Sequence, residues 1–148
     1  MIRINFQSDF TLRVTLRDSA GEPLAVPANP WSVHSTDIAG TCWKCAYNGA
    51  GGYEDCAEDD GVIVCYVNNP GFVPGVLAVT FRNDIPNEAF ADRVENQVTP
   101  ATASIMLWDG PTEGGDAVDV GMLLSVIAPR VIDADVDIAG DLQLTFNT

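Results

Sequence analysis

The chain has 148 residues, of which 47% are apolar, and 21 Asp and Glu against 7 Lys and Arg give a net charge of −14. This length suits one domain with a buried core, and the apolar content excludes a disordered acidic chain. One Lys and six Arg are too few to line a groove for phosphates or to hold an anionic bilayer. The composition therefore excludes nucleic acid and membrane as partners.

The negative charge is confined to the second part of the chain. Residues 1–53 carry four basic and four acidic side chains, whereas residues 54–148 carry three basic and seventeen acidic ones. The first ten residues lack the apolar run of a secretion signal, and no apolar run approaches the roughly 18 residues of a membrane span. We therefore expect a protein that is made in the cytoplasm and presents an acidic second part to solvent, a cation or a basic partner.

Alternation of apolar and polar residues predicts strands along most of the chain. The clearest case runs from Asp9 to Asp18, where Phe10, Leu12, Val14 and Leu16 alternate with polar residues, as in a strand with one buried face. Similar patterns predict further strands at residues 24–26, 31–36, 41–47, 62–67, 76–81, 102–108 and 131–146. Residues 118–127 fit a buried strand or a short helix.

The spacing of these strands predicts the fold class. Turn residues recur every 8–12 residues, which is typical of sandwiches and barrels. We predict an all-β protein, a single immunoglobulin-like antiparallel β-sandwich with at most one or two short helices. No linker divides the chain, so residues 1–148 form one predicted domain.

The polar run from Asn83 to Pro100 differs from its surroundings. We predict a long loop or arm there, or a short helix from Pro86 to Arg93. Loops of this length in compact domains often carry function, so Pro86, Phe90 and Arg93 are the predicted interface residues.

The four cysteines follow the pattern C-x2-C-x10-C-x8-C, at Cys42, Cys45, Cys56 and Cys65. Four thiolates can hold zinc, two can form a disulfide, and all four can be free and mostly buried. On a strand, Cys42 and Cys45 point to opposite faces because they are three residues apart. This spacing disfavours zinc and leaves the disulfide and the free thiols as alternatives.

Other candidate site residues have structural interpretations beside the functional ones. Asp133, Asp135 and Asp137 alternate with apolar residues, as in a strand with a solvated or partner-facing acidic face, or a cation site. His34 lies in a predicted strand, where a structural role is the usual one. Trp43 and Tyr47 share a strand face with Cys45, which indicates core or interface, with glycan stacking as the alternative. We predict no catalytic residue, cofactor or metal.

Several segments resemble one family. The run from Phe6 to Asp18, the segment from Gly21 to Trp31, the strand at Gly75 and the residues from Thr99 to Gly110 resemble β-sandwich virion proteins of Bacteroidetes phages and prophages. These are baseplate-upper-protein N-terminal domains and capsid-decorating or fibre-attachment proteins. The resemblance implies a non-enzymatic phage virion structural protein that assembles with copies of itself and other virion proteins.

Two other functions remain open at the level of sequence. Sandwich architecture and aromatic content also suit a carbohydrate-binding module of a surface or secreted protein. The many acids leave room for a small hydrolase with two paired carboxylates, although no sequence pattern selects the pair.

Overall fold

In a computed structural model of the chain, residues 1–113 and 117–124 are described, and they are all-β, without a helix. The all-β class predicted from the sequence is therefore confirmed for these residues. The described residues form these strands: β1 Ile2–Asn5, β2 Phe10–Arg17, β3 Trp31–Thr36, β4 Cys42–Tyr47, β5 Tyr53–Glu54, β6 Cys56–Asp59, β7 Val62–Val67, β8 Gly75–Pro86, β9 Val94–Pro100, β10 Ile105–Trp108 and β11 Ala117–Leu123.

The strands form two mixed sheets. The larger, curled sheet has the order β1-β10-β8-β3-β4-β5, with β9 also paired to β8, and the smaller sheet has the order β11-β2-β7-β6. The prediction of purely antiparallel pairing is wrong at two places, because β1 pairs β10 and β2 pairs β11 in parallel. These partners are joined by long stretches of chain, so no tight hairpin forces them to be antiparallel.

One core joins the two sheets, and the alternation seen in the sequence supplies it. On β2, Phe10, Leu12, Val14 and Leu16 are buried, while the polar residues between them are only half-buried. Both sheets contribute to a single cluster of buried side chains. Burying each large apolar side chain contributes about 1.5–3 kcal/mol, so this alternation fixes which face of each strand points inward.

The sheets are connected through short irregular segments. At Asp55, which has a φ of 62°, the chain leaves β5 of the larger sheet and enters β6 of the smaller one. Between β9 and β10, the backbone N–H of Thr102 donates to the Gly121 carbonyl at 2.9 Å, beside an isolated bridge between Ala101 and Met122. The edge of β11 is thereby tied to the larger sheet.

The segment from Asn83 to Pro100 is a β-hairpin, so the prediction of a long loop or a short helix is wrong there. Asn83, Asp84, Ile85 and Pro86 extend β8, and β9 pairs with them antiparallel. Only residues 87–93 form the turn. By pairing with β8, the residues of β9 form backbone hydrogen bonds within the sheet, whereas the backbone groups of a loop would bond to water.

Further outcomes concern single elements. Residues 24–26 form no strand, because Pro23 and Pro27 lack N–H groups and only the Leu24 N–H reaches the Leu16 carbonyl, at 2.8 Å. β1, β5 and β6 were not predicted from the sequence. Within residues 118–127, the strand alternative is correct as far as Leu123. The predicted strand at 131–146 lies outside the described residues.

Candidate functional site

The cysteines divide between the two faces of β4. Cys42 is exposed, whereas Cys45 is 1% exposed and lies in the core, as the odd spacing predicts. Cys45 Sγ lies 3.7 Å from the Sγ of Cys65, which is on β7 of the smaller sheet. Cys56 on β6 is the ladder partner of Cys65. The zinc alternative with four thiolates is wrong, because Cys42 points away from the other three. All four thiols are free.

Two of the core thiols, Cys45 and Cys56, are held in their protonated form. A hydrogen bond from Cys56 lowers the pKa of Cys45. The hydrogen bond to Cys65 and burial together raise this pKa by more, so the net shift is upward. The hydrogen bond to Cys45, and then burial, raise the pKa of the Cys56 thiol. Since the thiolate is the reactive and metal-binding form, these cysteines serve packing.

The acidic candidates lie beyond the described part of the chain. Asp133, Asp135 and Asp137 are all within residues 125–148, outside the described residues. In residues 1–113 and 117–124, no group of three or more His, Cys, Asp or Glu side chains is arranged to hold a metal ion.

His34 lies at the centre of the outer face of the larger sheet, between two polar side chains. Its Nε2 is hydrogen-bonded to Ser32 Oγ at 3.0 Å, and its Nδ1 lies 3.9 Å from Cys42 Sγ. Partial burial lowers the pKa of His34, and the charges of Arg82 and Lys44 lower it further. The imidazole is therefore neutral at neutral pH, and its Nε2 can accept a hydrogen bond from the Ser32 hydroxyl.

Within the described residues, β3 offers no free backbone N–H groups beside this Ser–His contact. β3 is paired on one side with β4 and on the other with β8, so its backbone N–H groups are directed along the ladders. Two free N–H groups converging on a reacting oxygen are the usual means of stabilising an oxyanion. The arrangement on β3 supplies none, and we interpret His34 as a structural and electrostatic residue of the face.

The hairpin formed by the end of β8 and by β9 projects from the core. No residue of β9 is buried, and Val98 is 53% exposed. The base of the hairpin is fixed, because the Asn29 amide donates to the side chain of Asn83 and, at 3.0 Å, to the Asp84 carbonyl. We call residues 83–100 the arm.

The three predicted interface residues lie together at the tip of the arm. Pro86 ends β8, Phe90 is 47% exposed, and Arg93 is exposed at a φ of 62°. The tip is closed by backbone hydrogen bonds from Asn87 N–H to the Arg93 carbonyl and from Arg93 N–H to the Phe90 carbonyl, both 2.9 Å. An exposed aromatic and an exposed cation thus lie on an ordered turn.

The strand β9, which carries this tip, was not predicted from the sequence. In β9, Glu95, Gln97 and Thr99 share a face, and the residues between them include the exposed Val98. This period of two was the available signal. It was weak because neither face of β9 is apolar enough to be buried.

A shallow cavity of about 460 Å³ lies at one end of the smaller sheet. Its lining includes Asp9, Phe10, Thr11, Asp55, Tyr66, Val67 and Asn68. Tyr66 is 55% exposed, on the outer face of β7. Trp31 and Trp43 are 1% and 7% exposed, so they belong to the core and cannot form a stacking platform. Tyr47, which is half-buried, packs on Trp31 with ring centroids 5.7 Å apart.

Comparisons with known proteins give no match: no family model matches the chain, and neither a curated protein nor a solved structure matches it. Among the described residues, no helix has the length and hydropathy that crossing a membrane would require.

Proposed function

We propose that the chain is a non-enzymatic structural protein of a phage particle, which acts by assembling with copies of itself and with other virion proteins. The observation that carries this proposal is the arm, a hairpin with an anchored base, exposed faces and an aromatic tip. The resemblance of several segments to phage β-sandwich proteins is the reason for proposing that the assembly is a phage particle.

The arm is suited to pairing with a neighbour. Among the described strands, β9 pairs only with β8, along one of its edges. An unpaired strand edge offers backbone groups for a strand of another chain, and nearby side chains supply specificity. Phe90 at the tip is the kind of aromatic anchor that dominates many interfaces. The predicted contact is therefore an added strand along β9, with Phe90 in a pocket of the neighbour.

Purified particles provide the direct test. We expect mass spectrometry of particles from the source culture to detect the chain at the stoichiometry of a structural component. Phe90→Ser is expected to weaken its incorporation, and Leu123→Ser, which also changes a half-exposed apolar residue but lies on β11, serves as the control. Absence of the chain from particles would refute the proposal. Equal incorporation of both variants would refute the role of the arm.

The cavity beside Tyr66 favours a second candidate, a carbohydrate-binding module. A half-exposed tyrosine ring next to Asp9, Asp55 and Asn68 offers a stacking surface together with hydrogen-bond acceptors and an amide donor. A glycan array tests this function directly. We expect Tyr66→Ala to abolish a positive signal and Tyr66→Phe to retain much of it. A blank array would leave only the structural proposal.

The finer architecture is also part of the proposal. We infer an immunoglobulin-like sandwich, supported by the single core to which both sheets contribute and by the separation of seven strands from four. A crystal structure tests it. Sheets that cross at about 30° over a core about 10 Å thick would agree with a sandwich, whereas continuous hydrogen bonding around the sheets would indicate a barrel.

A further inference from the structure

The outer face of the larger sheet carries small and basic side chains, and no described element covers it. β3 contributes Ser32, His34 and Thr36, and β4 contributes Cys42, Lys44 and Ala46. On β8, the neighbouring residues are Ala78, Thr80 and Arg82. We call this surface the cationic face. Because its side chains are short, apart from His34 and the two cations, the surface of a partner can approach the backbone of β3 and β4 closely.

The two cations of this face are free to meet a partner. Lys44 and Arg82 are exposed, and neither forms an ion pair or a side-chain hydrogen bond with another described residue. By contrast, Arg3 and Arg13 each pair with an acid, at 3.4 Å and 3.5 Å. In a chain of charge −14, Lys44 and Arg82 are thus two cations on one sheet face that form no ion pair within residues 1–113 and 117–124.

Acidic side chains adjoin the same face at its edge. Ladder pairing places Arg82, Ser32, Ala46 and Glu54 in one row across β8, β3, β4 and β5. With strands about 4.8 Å apart, Arg82 and Glu54 are separated by about 14 Å. Beyond Glu54, the acidic edge continues with Asp55, Glu58, Asp59 and Asp60, all exposed.

We propose that two copies of the chain dock through their cationic faces, about a two-fold axis that lies parallel to the strands between β3 and β4. This rotation places β8 of one copy opposite β5 of the other copy, and β3 opposite β4. The height of each residue along the strands does not change. Arg82 of each copy then faces Glu54 of the other copy, and Ser32 faces Ala46. This inference rests on the proposed function, in which copies of the chain assemble.

A second copy fits this face because the complementary charges lie on one surface. A two-fold interface is self-complementary, and each contact in it occurs twice. The row meets this condition, since it has a cation at one end and an acid at the other. Six residues of strand are about 20 Å long, and four strands are about 19 Å wide. This small footprint places the dimer in the weak, transient class of interfaces.

Exchange of the two charges tests the geometry. Sedimentation and native mass spectrometry over a concentration series are expected to show a species with the mass of two 15.8 kDa chains. Arg82→Glu and Glu54→Arg each place like charges opposite one another, twice per dimer, and we expect each to raise the dissociation constant at least about tenfold. The double variant restores opposite charges, so it is expected to dimerise like the natural chain.

Matched controls separate the pairing from the change in net charge. Arg17→Glu on β2 of the smaller sheet and Glu22→Arg in an exposed turn change the net charge by the same amounts, away from the face and from the arm. They are expected to leave the dissociation constant within about threefold of the natural value, and thermal melting verifies that each variant is folded.

Three results would overturn this docking mode: a natural chain that stays monomeric, single variants that dimerise normally, or a double variant that does not recover. None of them bears on whether the chain is present in particles, which tests the proposed function separately. Self-association that survives the charge variants but is lost with Phe90→Ser would assign the contact to the arm and refute the cationic face.

Discussion

At the scale of single residues, Asp37 connects two loops at one end of the larger sheet. Its side chain is 6% exposed and accepts the N–H groups of Ala39 at 3.0 Å, Thr41 at 2.8 Å and Val73 at 2.9 Å. Burial acts to raise the pKa of this carboxyl, but the backbone hydrogen bonds outweigh it, so the pKa is lowered. Three backbone N–H donors on this one carboxylate connect the loop after β3 to the loop before β8.

Replacing this carboxylate predicts a pH-dependent loss of stability. We expect Asp37→Asn to lower the urea midpoint at pH 7, because the amide turns an NH₂ group toward a backbone N–H. The folded-state pKa lies below the ordinary value of 3.8, so the stabilisation is fully present above pH 3.8 and is lost as the pH falls through the folded-state pKa. The difference between the variant and the natural chain should therefore narrow in acid.

Asp119→Asn is the control for that measurement. It makes the same chemical change at a carboxylate whose side chain is 87% exposed and which forms only a surface ion pair with Arg13, worth little. If Asp37→Asn costs no more stability than Asp119→Asn, the role of Asp37 is wrong.

At the scale of single elements, β4 shows how a period of two separates reactive from inert cysteines. Cys42 faces solvent, whereas Cys45 faces the core together with Cys56 and Cys65. We expect one thiol to react rapidly with a disulfide reagent in the native protein and all four to react after unfolding. Cys42→Ser should remove the rapid phase alone. Rapid reaction of more than one thiol in the native state would contradict this assignment.

The two halves of the β8–β9 region differ in what they contribute to stability. Phe81 is 0% exposed and Phe90 is 47% exposed. We expect Phe81→Ala to reduce the free energy of unfolding by about 3–5 kcal/mol, because it leaves a cavity in the core. Phe90→Ala should change it by at most about 0.5 kcal/mol. Both variants lose the same atoms, so urea denaturation of the pair isolates the effect of burial, and equal losses would refute it.

At the scale of the whole molecule, the charge of −14 acts mainly as repulsion. The two described ion pairs, Arg3 with Glu113 and Arg13 with Asp119, have exposed partners and contribute about 0–1 kcal/mol each. Salt therefore screens more repulsion than attraction. We expect the melting temperature of the dilute monomer to rise as sodium chloride is added.

Neutralising part of the acidic edge should weaken that response. Asp59→Asn and Asp60→Asn, combined in one variant, remove two charges from the exposed end of β6. The rise in melting temperature with salt is expected to be smaller for this variant than for the natural chain. A melting temperature that falls with salt would show that attractive pairs dominate instead.

The local pattern of the sequence was sufficient to predict which side chains of an individual strand point toward the core. Alternation on β2 predicted its buried residues, and the spacing of Cys42 and Cys45 predicted their opposite directions. The sequence also selected Pro86, Phe90 and Arg93 as candidate interface residues, which stays a prediction, and it did not predict the strand β9 beside them. These properties follow from the pleat of a single strand, in which successive side chains alternate between two faces.

Only the tertiary structure decided which strands pair and what their pairing brings together. The parallel pairing of Ile2 with Ile105, the grouping of Cys45, Cys56 and Cys65, and the row from Arg82 to Glu54 all join residues from separate parts of the chain. Such pairings depend on the packing of the common core, which no short window of sequence contains. By itself, the sequence determined an acidic, all-β protein with identifiable strand faces. The structure placed two cations, which form no ion pair with a described residue, on one of those faces, because the fold determines the neighbours of each strand.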